Sequence, residues 1–555
     1  QYFITDAIRL KFGTNRANPL AILEHALNLK EIIIKDSYTN EEGKRIDVTN
    51  KEETILCGTK SEAIREEFRQ WIFKDPQRRK ELEDIYNEIF NRYVAREYDG
   101  SLLNFPGSNK NIVLKPHQKN AVARALYGGN ELLAHSVGAG KTFTMIATAM
   151  ESKRLGLSHK SLFVVPNHLV GQWKNDFLLL YPNANVLSPE KNDFTPDNRK
   201  AFISKIATGA YDAIIVGHSQ FKKIKVSENR RKSFIQHEID EINTEMQGLN
   251  KYSASDKSTI KELIKSKKRL EKKLEEITSN VNDKKEDFID FEQLGCDRIF
   301  VDEAHLFKNL FLYSKLNNIA GLSKSESDQS LDLYLKCRIL DELTNKKGIV
   351  FATGTPVSNS LVEMYTMMRY LQYDDLQRLG LLNFDAWLSN FGQIDSSLEL
   401  KPDGNGFQVK KRLSKFYNLP ELMTVFRQVA DIQTADMLNI PGIPKVKSYT
   451  ILNECTDLQH KMIESISKRA DACHAPGFDL SKDNMLLITS DGRKLALDQR
   501  LINPNMPDEE NSKVNSLVKN VEEIWNRTKE QKLTQLIFCD LSTPDNKKNF
   551  DIYND

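Results

Sequence analysis

Long apolar runs are missing from these 555 residues. None approaches the roughly 18 residues a membrane-spanning helix needs, and the opening QYFITDAIRLKFG carries no basic-then-apolar signal pattern. No membrane association is expected, and the expected place of action is the cytoplasm. Cysteine is sparse: Cys57, Cys296, Cys337, Cys455, Cys473 and Cys539 stand apart with no CxxC pair. That spacing excludes a disulfide framework or a zinc site read from sequence, and suits reduced thiols. Charge of one sign is not in excess either, since 79 basic residues face 77 acidic ones for a net charge of +2. Bulk electrostatics are silent on partners, because a nucleic-acid motor can confine its positive charge to one groove.

What is present is an ordinary soluble composition, 40% hydrophobic and 28% charged, in a chain long enough for two to four domains. Residues 1–110 are expected to form a mainly helical accessory region. Its stretch from Ser61 to Tyr98 has apolar positions three and four apart and no chemical motif. After the turn cluster Gly107, Ser108 and Asn109, short β-branched runs alternate with helical patterns over residues 111–375. That alternation predicts an α/β domain: a parallel sheet flanked by helices. Within it, Ile235, Ile239, Ile242, Met246 and Leu249 step at heptad spacing, and so do Ile260, Leu263, Lys267, Leu270, Leu274 and Ile277. Two such stripes around a polar break predict an antiparallel helical hairpin inserted over residues 228–280. A solvated structural arm is the plainer reading of that hairpin, against a DNA or partner contact through KSKKRLEKK. Residues 376–510, with clusters such as KPDGNGF and NIPGIPK, read as linker and insertion. A helix-then-strand pattern restarts near Lys513 and ends in the apolar run QLIFCD.

The most informative stretch is NELLAHSVGAGKTFTMIATAM, where an apolar strand runs into Gly138, Ala139, Gly140, Lys141 and Thr142 and then into a helical pattern. A glycine-rich turn between strand and helix cradles phosphate: backbone N–H groups bind the oxygens, Lys141 reaches the β and γ phosphates, and Thr142 ligates Mg2+. The full pattern has glycine where this chain has His135, which is read as filling the loop. A second piece, RIFVDEAHLFKN, sets Ile299, Phe300 and Val301 directly before Asp302, Glu303, Ala304 and His305. The acids then stand at the C-terminal end of a buried strand, the edge where open α/β sheets bind ligands. There Asp302 can hold the magnesium and Glu303 can polarise the attacking water, making Glu303, Asp302 and Lys141 the catalytic candidates.

GxGKT, DEAH followed by Lys308 and Asn309, and ATGTPVSNSLVEMYTMMRYL together resemble the Swi/Snf-type branch of superfamily-two helicases. The resemblance implies RecA-like lobes, ATP with Mg2+, and movement on double-stranded DNA. LKPHQKNAVARAL is similar to the element in which the residue matching Gln118 reads adenine. SLFVVPNHLVGQWKNDF and YDAIIVGHSQF are similar to DNA-facing segments, which makes Pro166, Asn167, Gln172, Gly217, His218 and Ser219 the implied DNA contacts. Thr353, Gly354 and Thr355 match the element that couples hydrolysis to DNA contact. His305 stands either as a relay to that element or as a structural hydrogen bond, and Trp173 reads as core rather than ligand. Thr456 to Gln459 resembles the family's TxxQ linker.

The same resemblance makes residues 511–555 the start of a second RecA-like lobe, incomplete here, since no match to the last two motifs follows QLIFCD. The arginine of that lobe contributes on the order of a thousandfold or more in rate, so weak hydrolysis by this chain alone is expected. The opening LKPHQKNAVARALYGGNELLAHSVGAGKT is similar to large bacterial mobile-element and phage proteins that join an adenine methylase to such a motor. A methylase domain or subunit is implied as partner by that similarity alone. Two functions stay open: an ATP-dependent DNA translocase or helicase module, and a nucleotide-gated DNA- or partner-binding module with little turnover.

Overall fold

The apolar runs from Glu131 to Thr353 that form strands enter one sheet, apart from Ile319–Ala320, which pairs with Lys411 and Arg412 in a separate three-stranded sheet. The computed structural model describes residues 5–553 except 28–31, 40–44, 92–95, 191, 253–256, 280–288, 315, 317–318, 321, 323–325, 359, 401–406, 439–445, 474–477, 480, 482, 540, 543 and 545–549. The strands are β1 (Glu131–His135), β2 (Ser161–Val165), β3 (Val186–Leu187), β4 (Ala213–Gly217), β5 (Arg298–Val301), β6 (Ile349–Thr353) and β7 (Ala430–Gln433). They lie in the order β7-β1-β6-β5-β2-β4-β3, each neighbouring pair parallel. Helices α1 (Pro116–Tyr127), α2 (Lys141–Arg154), α3 (Val170–Leu180), α4 (Pro196–Thr208), α5 (Glu228–Tyr252), α6 (Lys257–Ser279), α7 (Asp328–Thr344) and α8 (Leu361–Leu371) fill the connections.

The continuous apolar runs have a physical reason. Successive strand residues point to opposite faces, so a sheet covered on both sides needs apolar residues throughout. Leu132, Leu162, Ile214, Ile299 and Phe351 pack into one core, while Leu133, Phe163, Ile215, Phe300 and Val350 pack into the other. Phe163 and Phe300 stack with centroids 4.5 Å apart on neighbouring strands.

β7 lies inside the stretch that the sequence assigns to linker and insertion, so the expected edge at residue 375 is corrected. Leu422, Val425 and Phe426 share the main core, and Ala430–Gln433 pairs with β1. ADIQ was missed because an edge strand with one buried and three half-buried residues leaves no apolar run to read. The hairpin forms as the heptads predict. Ile235, Ile239, Ile242, Leu263 and Leu270 bury its seam together with Phe311, and the Leu249 side chain lies outside the described residues. Arg369 of α8 roots it, 3.6 Å from Glu238 and donating to the Phe311 carbonyl at 2.5 Å.

The N-terminal region is mainly helical, from Asp6–Phe12 to Pro76–Tyr86, with an antiparallel strand pair Lys35–Thr39 and Arg45–Thr49 that the helical periodicity did not announce. Contacts divide the chain into one unit of residues 1–395 and 411–441 and a second of 396–410 and 442–555. In the second unit, Thr456 and Gln459 close a capping box that starts the helix Asp457–Ala472. The expected strand QLIFCD is not formed: Leu533–Cys539 has neither helix nor strand, and Phe538 is 91% exposed. A strand needs a neighbouring ladder, and none pairs with it among the described residues. No described helix is long and apolar enough to cross a membrane.

Asp341 of α7 accepts from the buried Asn130 amide at 2.7 Å, and burial pushes its carboxyl up to about 6. Its folded pKa thus exceeds its unfolded value, so protonation favours the folded state and this stabilisation fades as pH rises from about 4 to 6. Over that window Asp341→Asn is expected to flatten the decline by on the order of 2 to 3 kcal/mol, read by chemical denaturation against the parent chain.

Candidate functional site

The strand C-termini of a parallel sheet point to one edge, and there the loop after β1 turns sharply into α2. Gly138 and Gly140 carry φ of +84° and +83°, a left-handed backbone that costs glycine least. Gly140 caps α2, whose first residue is Lys141. The Lys141 ammonium donates to the carbonyls of His135 at 3.0 Å and Ser136 at 3.4 Å. Burial lowers its pKa, while Glu303 and Asp302 oppose that shift. From α1, Gln118 donates its amide to the Gly140 carbonyl at 3.0 Å, and a His117 ring nitrogen lies 2.8 Å from the Ala139 carbonyl.

The acids follow β5. Asp302 is buried, accepting from the Glu303 amide at 3.0 Å and from the Trp173 indole at 3.2 Å. Burial raises its pKa and the adjacent Glu303 adds to the shift. Glu303 itself has φ of +51°, an uncommon conformation for a residue with a Cβ. Its carboxylate is 3.1 Å from His305 Nδ1, and that nitrogen is also 3.0 Å from Thr353 Oγ1 at the end of β6. Thr353 Oγ1 in turn accepts the Thr355 amide at 3.0 Å. Glu303, His305, Thr353 and Thr355 therefore form one polar chain, with Gly354 facing Lys141 and Val137 across the gap. Lys308, following the DEAH residues, pairs with Glu363 at the start of α8 at 2.9 Å.

The DNA-facing candidates divide. Asn167, exposed after β2, accepts from both the amide and hydroxyl of Ser219, exposed after β4. Gly217 keeps that approach open, since an added Cβ would stand 2.3 Å from Asn167 Oδ1. Gln172 is exposed on α3, whereas Pro166 is buried at the end of β2. His218 is buried: its ring packs against Phe307, with Nε2 3.0 Å from the Asp302 carbonyl. The imidazole thus links the β4 loop to the acid strand. Burial lowers its pKa accordingly.

Two roles escaped the sequence. Trp173 is core as read, yet its N–H also orients Asp302, a bond that neither residue's local pattern signals. His135 does more than fill the loop, because Nε2 lies 2.7 Å from Asp431 Oδ2 on β7. The glycine cradle, the lysine at a helix start and the buried acid opposite it are a donor set that fits a nucleotide phosphate with its magnesium. Among the described residues no group of three or more His, Cys, Asp and Glu is arranged to hold a metal ion by itself.

A family model described as a probable helicase domain matches residues 125–434, and one described as a domain of unknown function matches residues 4–92. Defense against restriction protein B of Escherichia phage P1 is 25% identical over 504 residues, 83% of this chain and 21% of that protein. The chain thus spans about a fifth of the length of the curated relative it matches. Among solved structures, the Sulfolobus solfataricus SWI2/SNF2 ATPase core in complex with dsDNA is similar with a TM-score of 0.34 and 15% identity, over 77% of this chain and 67% of that one. The core domain of the same ATPase gives 0.30 and 12%, over 78% and 68%.

An alanine Cβ at Gly138 meets nothing within 4 Å, whereas one at Gly140 would stand 2.4 Å from Gln118 Nε2. Gly138→Ala is therefore expected to cost only the left-handed strain, about 1 kcal/mol. Gly140→Ala should cost more, because the Gln118 amide must swing away and give up its bond to the Gly140 carbonyl, and denaturation of the two variants side by side checks the order.

Proposed function

Because the chain belongs to the family described as a probable helicase domain, we propose that it is an ATP-dependent DNA translocase or helicase module acting on duplex DNA. The single observation that carries the reading is the convergence of the glycine loop, Lys141, Asp302 and the Glu303–His305–Thr353 chain on one sheet edge. In this reading Gly138, Ala139, Gly140 and Lys141 hold the ATP phosphates, and Gln118, already bonded to the loop, meets the adenine. Thr142 and Asp302 hold Mg2+, which when bound supplies charge neutralisation for the transferring phosphoryl group. Glu303 orients and polarises the attacking water.

His305 passes the state of that site to Thr353, Gly354 and Thr355, and Lys308 to Glu363 on α8. Asn167 and Ser219, tied to each other and flanked by Pro166, Gln172 and Gly217, offer polar groups to the DNA backbone. His218 supports them from beneath. A DNA methylase domain or subunit belongs to the same proposal as partner in the parent protein. Sustained turnover also needs an arginine from a second lobe.

The test is ATP hydrolysis with and without duplex DNA, together with nucleotide binding. Lys141→Ala is expected to abolish binding. Glu303→Gln should still bind ATP while turnover falls by about a hundredfold or more. Duplex DNA that changes ATP affinity without any hydrolysis, in a chain extended through a second lobe, would instead favour the nucleotide-gated binding module. Unaltered nucleotide binding by Lys141→Ala would overturn both readings.

A further inference from the structure

His135 occupies a position where the phosphate-loop pattern has glycine, and a histidine there is bulky enough to need a reason. It is fully buried at the end of β1, and its hydrogen-bond partner Asp431 lies 296 residues further along the chain. The bond is not isolated. β7 runs beside β1 with Gln433 opposite His135, and the Ser136 amide donates to the Gln433 carbonyl at 2.9 Å. The carbonyls of these same two residues, His135 and Ser136, accept the Lys141 ammonium. One short segment is thus gripped from outside by β7 and holds the loop lysine from within.

The surroundings keep Asp431 in the accepting form. Burial alone would raise its carboxyl, but hydrogen bonds from His135 and Gln433 and the nearby Arg124 take it below its ordinary value. At the opposite end of β1, Glu131 lies buried and 3.6 Å from Arg124, while His117 approaches the His135 ring edge-on. The helicase-domain match ends at residue 434, one residue past β7, so the strand belongs to the matched region although residues 372–429 separate it from α8.

We propose that Asp431 is a positioning residue for the nucleotide loop: through His135 it fixes the carbonyls against which Lys141 is held, so the loop is ordered only while β7 is docked. The inference rests on the ATP reading for its functional consequence, and on the geometry alone for the order of the loop. Asp431 touches no substrate and acts only through His135.

Three readouts on the full chain test it: hydrogen exchange of the Ser136–Gly140 amides, affinity for fluorescent mant-ATP with magnesium, and the thermal midpoint. Asp431→Ala and His135→Ala are each expected to speed exchange in the loop and weaken mant-ATP binding about tenfold, the scale of one hydrogen bond to a charged group. Asp431→Asn keeps an acceptor oxygen and should stay within about twofold of the parent. The double alanine variant should be no worse than either single one, since both remove the same bond. Additive losses, or a lowered midpoint with loop exchange and affinity unchanged, would overturn the proposal. If Lys141→Ala binds mant-ATP as the parent does, the ATP reading fails, while the exchange measurement still decides whether β7 orders the loop.

Discussion

Burial of the parallel sheet on both faces is the constraint from which the rest follows. A strand sandwiched between helices can carry almost nothing polar along its length. The chemistry is pushed to the strand ends, where the backbone leaves the sheet and side chains meet solvent. β1, β2, β4, β5 and β6 each deliver a polar residue to the same edge: the loop before Lys141, Asn167, Ser219, Asp302 and Thr353. Residues more than 200 positions apart become neighbours without any local sequence rule having to arrange it.

Polar cross-links then do what apolar packing cannot, which is to fix direction. Asp302 is held by an indole on one oxygen and a backbone amide on the other, so its carboxylate plane is set before any ligand arrives. The imidazole of His305 is shared between Glu303 and Thr353, and His218 fastens the neighbouring loop to the Asp302 carbonyl. Preorganised groups of this kind spare the reorganisation that a flexible site would undergo on binding.

The legible parts of the molecule were those with local causes. The glycine turn, the lysine after it, the apolar run before Asp302 and the heptads of the hairpin each declare themselves within a dozen residues. What stayed hidden depends on distant partners or weak periodicity. ADIQ is too polar to read as a strand, and its role becomes visible only beside β1. His135 looked like filler because its partner follows almost 300 residues later. His218 sits in a surface-like motif, yet its ring is buried against Phe307. QLIFCD had the composition of a strand but no ladder to join, and composition alone does not make a sheet.

The left-handed backbone of Glu303 places two demands on one position. Glycine or asparagine would sit there with less strain, and either would make the fold more comfortable while removing the long carboxylate. A selection for thermal robustness alone would therefore drift away from glutamate at 303, and, under the proposed role of Glu303, a selection for turnover would restore it. On the proposed role of Glu303, the tension at that φ angle is where stability and function pull in opposite directions.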